Sequence, residues 1–247
     1  MRKPLFVICS LMVFALIAQA QDKPKIEIFG GYSYLRADDN DDGVNLNGWT
    51  ASGTYNFNKW FGVKGDFSGH YGQYTLVPPS ILAPPLDTHI KGDLNTYLFL
   101  GGPQFAYREH DAVQPFGHVL VGAARRHTEV SGDAAARFAA AGINPNVFDS
   151  SDTSFAFVVG GGLDVKITKY LAWRAFQADY VLTTFEDQVF SPVTGKPLTD
   201  PTDPSKIYCG LSGLSRYIDG KPGQSSCSDH QNNFRFSTGL VLRLGDH

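Results

Sequence analysis

The 247 residues carry 21 Lys and Arg against 24 Asp and Glu, a net charge of −3, with 26 Gly, 18 Phe, 11 Tyr and 3 Trp at only 18% charged residues. That balance supplies no basic face for nucleic acid, and past the first twenty residues no run approaches the 18 apolar residues of a membrane-spanning helix. Barrel strands cross a bilayer with a far weaker hydropathy signal, so the chain's glycine, aromatics and low charge still suit an all-β membrane protein.

Met1 to Ala20 opens on Arg2 and Lys3, continues through an apolar core from Leu5 to Ile17, and ends in Ala18-Gln19-Ala20 ahead of Gln21. A basic start, an apolar core and a small-x-small site mark a secretory signal peptide, and the core is short for a membrane span. The expected domain is therefore 21–247. Cys9 lies inside the apolar core, away from the cleavage point, which argues against a lipidated N-terminus.

Strand side chains alternate between faces, and the chain alternates repeatedly. Lys25 to Arg36 sets Ile26, Ile28, Gly30, Tyr32 and Tyr34 against Glu27, Phe29, Gly31 and Ser33. After the acidic loop 38–43, Val44 to Phe57 sets Trp49, Ala51, Gly53, Tyr55 and Phe57 against Asn47, Thr50, Ser52, Thr54 and Asn56. Asn58-Lys59 reads as a tight turn. Trp60 to Tyr71 is clearest, with Phe61, Val63, Gly65, Phe67, Gly69 and Tyr71 opposing Lys64, Asp66, Ser68 and His70.

A proline-rich loop, 72–89, precedes a fourth strand, Ile90 to Tyr107, in which Tyr97, Phe99 and Phe105 are expected to face outward and Gln104 inward. A polar turn, 108–112, leads to a fifth strand, Val113 to Thr128, whose inward face the pattern leaves open. In the loop 129–152 the run Asp133 to Gly142 is alanine-rich and reads as a short helix. Ser154 to Ile167 sets Phe155, Phe157, Val159, Leu163 and Val165 against Asp164 and Lys166. Thr168-Lys169 turns into Tyr170 to Thr184, where Arg174 and the pair Gln177/Asp179 fall on opposite parities, so a bulge is expected. The longest loop, 185–232, precedes a closing strand with Phe234, Phe236, Leu240, Leu242 and Leu244 on one face and Asn233, Arg235, Ser237, Gly239 and Arg243 on the other.

Eight strands joined by alternating long loops and tight turns predict an antiparallel up-and-down barrel with all turns at one end. Outer-membrane barrels show that asymmetry, with lipid outside and a polar lumen inside; a soluble eight-stranded barrel is the rival. The stretches Phe29-Gly-Gly-Tyr-Ser-Tyr34, Trp60 to Gly69, Phe99-Leu-Gly-Gly-Pro-Gln104, Pro115 to Gly122 and the closing strand resemble the outer-membrane β-barrel family that includes the OmpA transmembrane domain and the OmpX-like and OprF-like barrels. The resemblance implies an outer-membrane location, contact with lipid and lipopolysaccharide, insertion by the barrel-assembly machinery, and a role as structural surface protein, adhesin or narrow pore. Some members carry a peptidoglycan-binding domain after the barrel, whereas this chain stops at His247. It also departs from the family's terminal aromatic, since Gly-Asp-His follows Leu244.

Lys64, Asp66, Asp164, Lys166, Asp179, Arg235 and Arg243 are expected inside, either lining a pore or pairing to plug a lumen that eight strands leave just wide enough to fill. Cys209 and Cys227 share one loop of an exported chain, which fits a disulfide worth about 3 kcal/mol of unfolded-chain entropy. Asp38, Asn40 and Asp42 match the start of a calcium loop, but its twelfth position is Trp49 instead of Glu, so a solvated acidic loop is the preferred reading and no metal is expected. His70, His127 and His230 raise a lipid-modifying or proteolytic barrel, yet no Ser–His or Asp–His spacing supports one, and no cofactor motif is present. Non-enzymatic surface binding through the long loops, possible ligands included, is the leading expectation, with a small solute channel beside it.

Overall fold

The computed structural model describes residues 24–37, 44–76, 90–109, 112–130, 132–140, 150–185 and 230–245. The signal segment, the calcium-like Asp38, Asn40 and Asp42, the cysteines Cys209 and Cys227, and most of the long loops lie outside those residues. Eight strands follow in chain order: β1 Ile26–Ala37, β2 Val44–Asn56, β3 Phe61–Leu76, β4 Ile90–Ala106, β5 Val113–Val130, β6 Ser150–Lys166, β7 Leu171–Thr183 and β8 Gln231–Leu244. Each pairs antiparallel with its neighbour, and β8 returns to β1 to close the barrel. The closing seam runs unbroken from Ile26 opposite Leu244 to Ala37 opposite Asn233.

The tight connections share one end. Asn58 Oδ1 accepts hydrogen bonds from the amides of Trp60 (3.0 Å) and Phe61 (2.7 Å), and Thr168 Oγ1 accepts from those of Tyr170 (3.2 Å) and Leu171 (3.1 Å). A short polar side chain that bonds its own backbone two or three residues on is what lets so few residues reverse a strand. At this end Lys25 N also donates to Leu244 O and Arg243 N to Tyr170 O, tying the turns into a ring. At the other end β3 to β6, of 16, 17, 18 and 17 residues, outrun the 12 to 14 residues of the remaining strands. The barrel wall is thus taller on one side. β3, β5 and β6 extend past their sequence-predicted ends, which shortens the loops expected at 72–89 and 129–152. A short helix, α1, spans Gly132–Ala140, one residue ahead of the expected Asp133 start.

Apolar side chains face outward. Val63, Phe99, Val121, Phe155, Phe176, Phe236 and Leu240 are among the exposed large residues. Water would not tolerate so continuous a belt on a monomer; lipid requires it. Aromatics edge the belt at both ends: Phe57, Trp60, Phe61 and Phe105 stack near the turns, and Trp49–Phe67, Tyr71–Tyr97 and Tyr180–Phe234 pair toward the loops. Asn47, expected inside, lies on the outer face with Trp49 and accepts a hydrogen bond from the Tyr32 hydroxyl. Two-residue alternation demands that shared face. The bulge in β7 is present: the register with β6 and β8 shifts after Arg174, leaving Ala175 as the extra residue. In consequence Arg174, Gln177 and Asp179 all turn inward.

Candidate functional site

The lumen gathers the polar chemistry of the chain. Arg235 on β8 is fully buried and reaches in two directions. Its Nη1 donates to Asp66 Oδ1 on β3 (2.7 Å) and Ser68 Oγ (3.1 Å), and its Nε donates to Asp179 Oδ2 on β7 (2.8 Å). Lys64 Nζ lies 3.2 Å from Asp66 Oδ2, and His118 Nε2 lies 2.9 Å from Asp179 Oδ1. Planar guanidinium donors suit a carboxylate on each side, which a point-like ammonium matches poorly.

A second tier sits toward the turns. Arg174 makes a two-pronged bond to Asp164, Nε to Oδ1 at 2.8 Å and Nη2 to Oδ2 at 3.1 Å. Its guanidinium is sandwiched between the Phe29 and Phe116 rings at 4.3 and 4.0 Å, a cation–π arrangement strengthened by burial. Arg243 donates to Gln114 Oε1 (2.7 Å) and lies 3.4 Å from Glu27. Arg108, from the β4–β5 connection, closes the bottom through Glu27 (2.9 Å), Asn56 (3.1 Å) and the Lys59 carbonyl (2.9 Å). Gln177 joins the tiers, accepting from Arg174 (2.9 Å) and donating to Asp179 (2.6 Å).

The structure therefore brings Lys64, Asp66, Asp164, Asp179, Arg235 and Arg243 together inside the barrel. Lys166 is a correction. It is the last residue of β6, exposed at the turn-side rim, where the wall ends and its ammonium reaches water. Sequence reasoning missed Glu27, Arg108, Arg174, Gln177 and His118 as members. The inward parity of Glu27 was readable, and the bulge signalled Arg174 and Gln177. His118 was hidden by the ambiguous face of β5, and no periodicity marks a turn residue such as Arg108.

The histidines separate. His70 is buried and hydrogen-bonded to Ser33 (2.9 Å), while His230 is exposed beside β8. His127 is paired across the β5–β6 ladder with Ser151, 24 residues later, and its Nδ1 lies 2.8 Å from that hydroxyl. Glu129 stands 3.6 Å from Nε2. That gap is too long for the hydrogen bond that holds a catalytic imidazole in one tautomer. The Ser151 partnership was invisible in sequence because the register, not the spacing, creates it.

Similar folds occur among solved barrels. Ail of Yersinia pestis, solved with a heparin analogue, is 16% identical, with 89% of this chain and 99% of that chain covered at a TM-score of 0.48. OprG of Pseudomonas aeruginosa is 12% identical over 91% and 98% at 0.48, and Neisserial surface protein A is 10% identical over 89% and 97% at 0.47. No curated protein matches. The family model described as the outer membrane protein beta-barrel domain matches residues 6–196, which takes in β1 to β7. With its closed barrel, outward apolar belt and polar lumen, the chain belongs to that family and resides in the outer membrane.

Proposed function

We propose that this barrel is a non-conducting scaffold that presents its long loops at the cell surface, in a structural or adhesin-like role. The observation that supports this most is the lumen network. Arg235, Lys64, Asp66 and Asp179 are all buried, and each charge has an opposite partner within 3.2 Å. Eight strands leave room for side chains and little else, so paired charges at two levels act as a plug. Contact then falls to the loops, the usual seat of binding on a rigid scaffold. A Cys209–Cys227 bridge would stiffen the longest of them, and removal of the N-terminal twenty residues during export belongs to the same reading. Outer-leaflet lipid and lipopolysaccharide are its expected surroundings, reached by way of the barrel-assembly machinery.

Single-channel recording in a planar bilayer tests the plug, once an unboiled-gel mobility shift shows that the protein has folded. Silence is expected. Reproducible discrete steps would make the same charges a pore lining and the protein a small channel.

A further inference from the structure

On the tall side of the wall, the strand register draws a boundary across the outer face. One row sets Phe99 of β4, Ala123 of β5 and Phe155 of β6 side by side. The next row toward the loops is Tyr97, Arg125 and Thr153, and the one beyond it is Asn95, His127 and Ser151. The outer surface thus passes from hydrocarbon-like to polar within two rows. Arg125 stands on that line, exposed, and among the described residues no carboxylate pairs with it. Glu129, further along the same strand, lies 3.6 Å from His127 instead. Other outward cations are matched within the chain, Lys59 by Glu109, Arg36 by Asn45, and Lys25 and Lys169 by tyrosine rings. A cation at the edge of the hydrocarbon calls for an anion, and here the chain supplies none.

Below Arg125, Ala123 lies between the half-exposed rings of Phe99 and Phe155, so a slot leads from the guanidinium into the apolar belt. One row lower, Val121 faces Gly101, and Gly65 and Gly53 continue that row around the wall. A Cβ on Gly53 or Gly65 would touch nothing, and a groove of about 600 Å³ opens over them beside Phe67 and Phe99.

We propose that Arg125 and this slot anchor one molecule of lipid A, the phosphorylated glycolipid of the outer leaflet. The guanidinium takes a sugar phosphate and the slot takes an acyl chain; the loop end faces outward, as in the reading above on which this rests. A terminal phosphate carries up to about two charges, and the planar fork of an arginine meets it through two parallel N–H bonds. Thr153, Asn95 and Ser151 lie beside it as neutral hydrogen-bonding groups, which suit sugar hydroxyls. A chain laid between two rings gains contacts along its length that a smooth wall does not offer. A phospholipid brings a singly charged diester and no sugar, so it meets only part of this arrangement.

The test uses the folded full barrel in phosphatidylcholine bicelles, with nitrogen-labelled arginine side chains and labelled alanine methyls. Bisphosphorylated lipid A, the same lipid with both phosphates removed, and phosphatidylglycerol are added separately at matched mole fractions. Lipid A is expected to shift the Arg125 Nε–H and the Ala123 methyl together and saturably, while the outward Arg36 on β1 stays still. Arg125→Gln should retain lipid A at least tenfold more weakly in native mass spectrometry. Ala123→Phe, which fills the slot, should do the same while keeping the compact form on unboiled gels. An unmoved Arg125 in the native protein would overturn the proposal, as would equal shifts at Arg36 or an equal response to either control lipid. That titration decides the matter even if a variant does not fold. Proteolysis of the loops on intact cells reads the orientation by itself, and single-channel recording reads the plug, so failure of the lipid site is distinguishable from failure of either.

Discussion

Arg235 is the side chain on which the upper lumen cluster converges. It is buried between Asp66 and Asp179, and removing one partner of a buried ionic cluster leaves charge without compensation, at about 3–5 kcal/mol. Arg235→Leu is therefore expected to lower the free energy of unfolding from vesicles, read from urea titration, by that amount, and Arg235→Lys to recover only part of it, because an ammonium lacks the second prong. A leucine variant as stable as the native protein would show that the cluster contributes little beyond filling space. The strand seam imposes a different demand. Gly31 and Gly239 face each other across β1 and β8, and a Cβ on Gly31 would stand 2.1 Å from the Thr238 carbonyl oxygen. Backbone cannot yield there without parting the strands, so Gly31→Val should abolish the compact, fast-migrating form on unboiled gels.

Among the elements, β7 depends most on a single inserted residue. Ala175 lets Arg174 and Asp179 share the inner face in spite of their opposite parities. Deleting it would turn one end of the strand inside out, sending either Arg174 or Asp179 into lipid. An arginine at the bilayer midplane costs about 2–4 kcal/mol, and the lost ion pair adds to that. The deletion is expected to refold with less than half the native yield, measured by gel shift. The bulge was legible in sequence because charged residues broke parity in an otherwise regular strand. β3 and β8 were legible because lysine, aspartate and arginine marked one face and aromatic or aliphatic residues the other. β5 was not, and the reason is physical. Leu120 and Ala124 line the inside while Val119 and Val121 face lipid, so both parities read apolar. β4 carries the same double signal through Leu94, Leu98 and Leu100, and only Gln104 with the outward Phe99 and Phe105 betrayed its orientation. The apolar half of the lumen thus concealed itself, since alternation reveals a face only when the two faces differ.

For the whole molecule, the wall is the boundary between two solvents, and all three tryptophans stand on its outer surface or rim. Trp49 and Trp173 are exposed outward and Trp60 stacks on Phe105. Intrinsic fluorescence should therefore be quenched by lipids brominated on their acyl chains and resist aqueous acrylamide. The reverse result would contradict the placement of the apolar belt in lipid. The ion network also carries information about time. Arg235 and Arg243 both belong to β8, while their carboxylate partners Asp66, Asp179 and Glu27 belong to strands that precede it, with Asp66 lying 169 residues back. Until β8 arrives, Asp66 and Glu27 hold only Lys64 and Arg108, Asp179 lacks the guanidinium of Arg235, and the sheet has two open edges. The last strand thus works as a key cut in charge as well as in hydrogen bonds. An incomplete copy cannot imitate the finished barrel, and a membrane that receives one holds a buried carboxylate, Asp179, without its arginine.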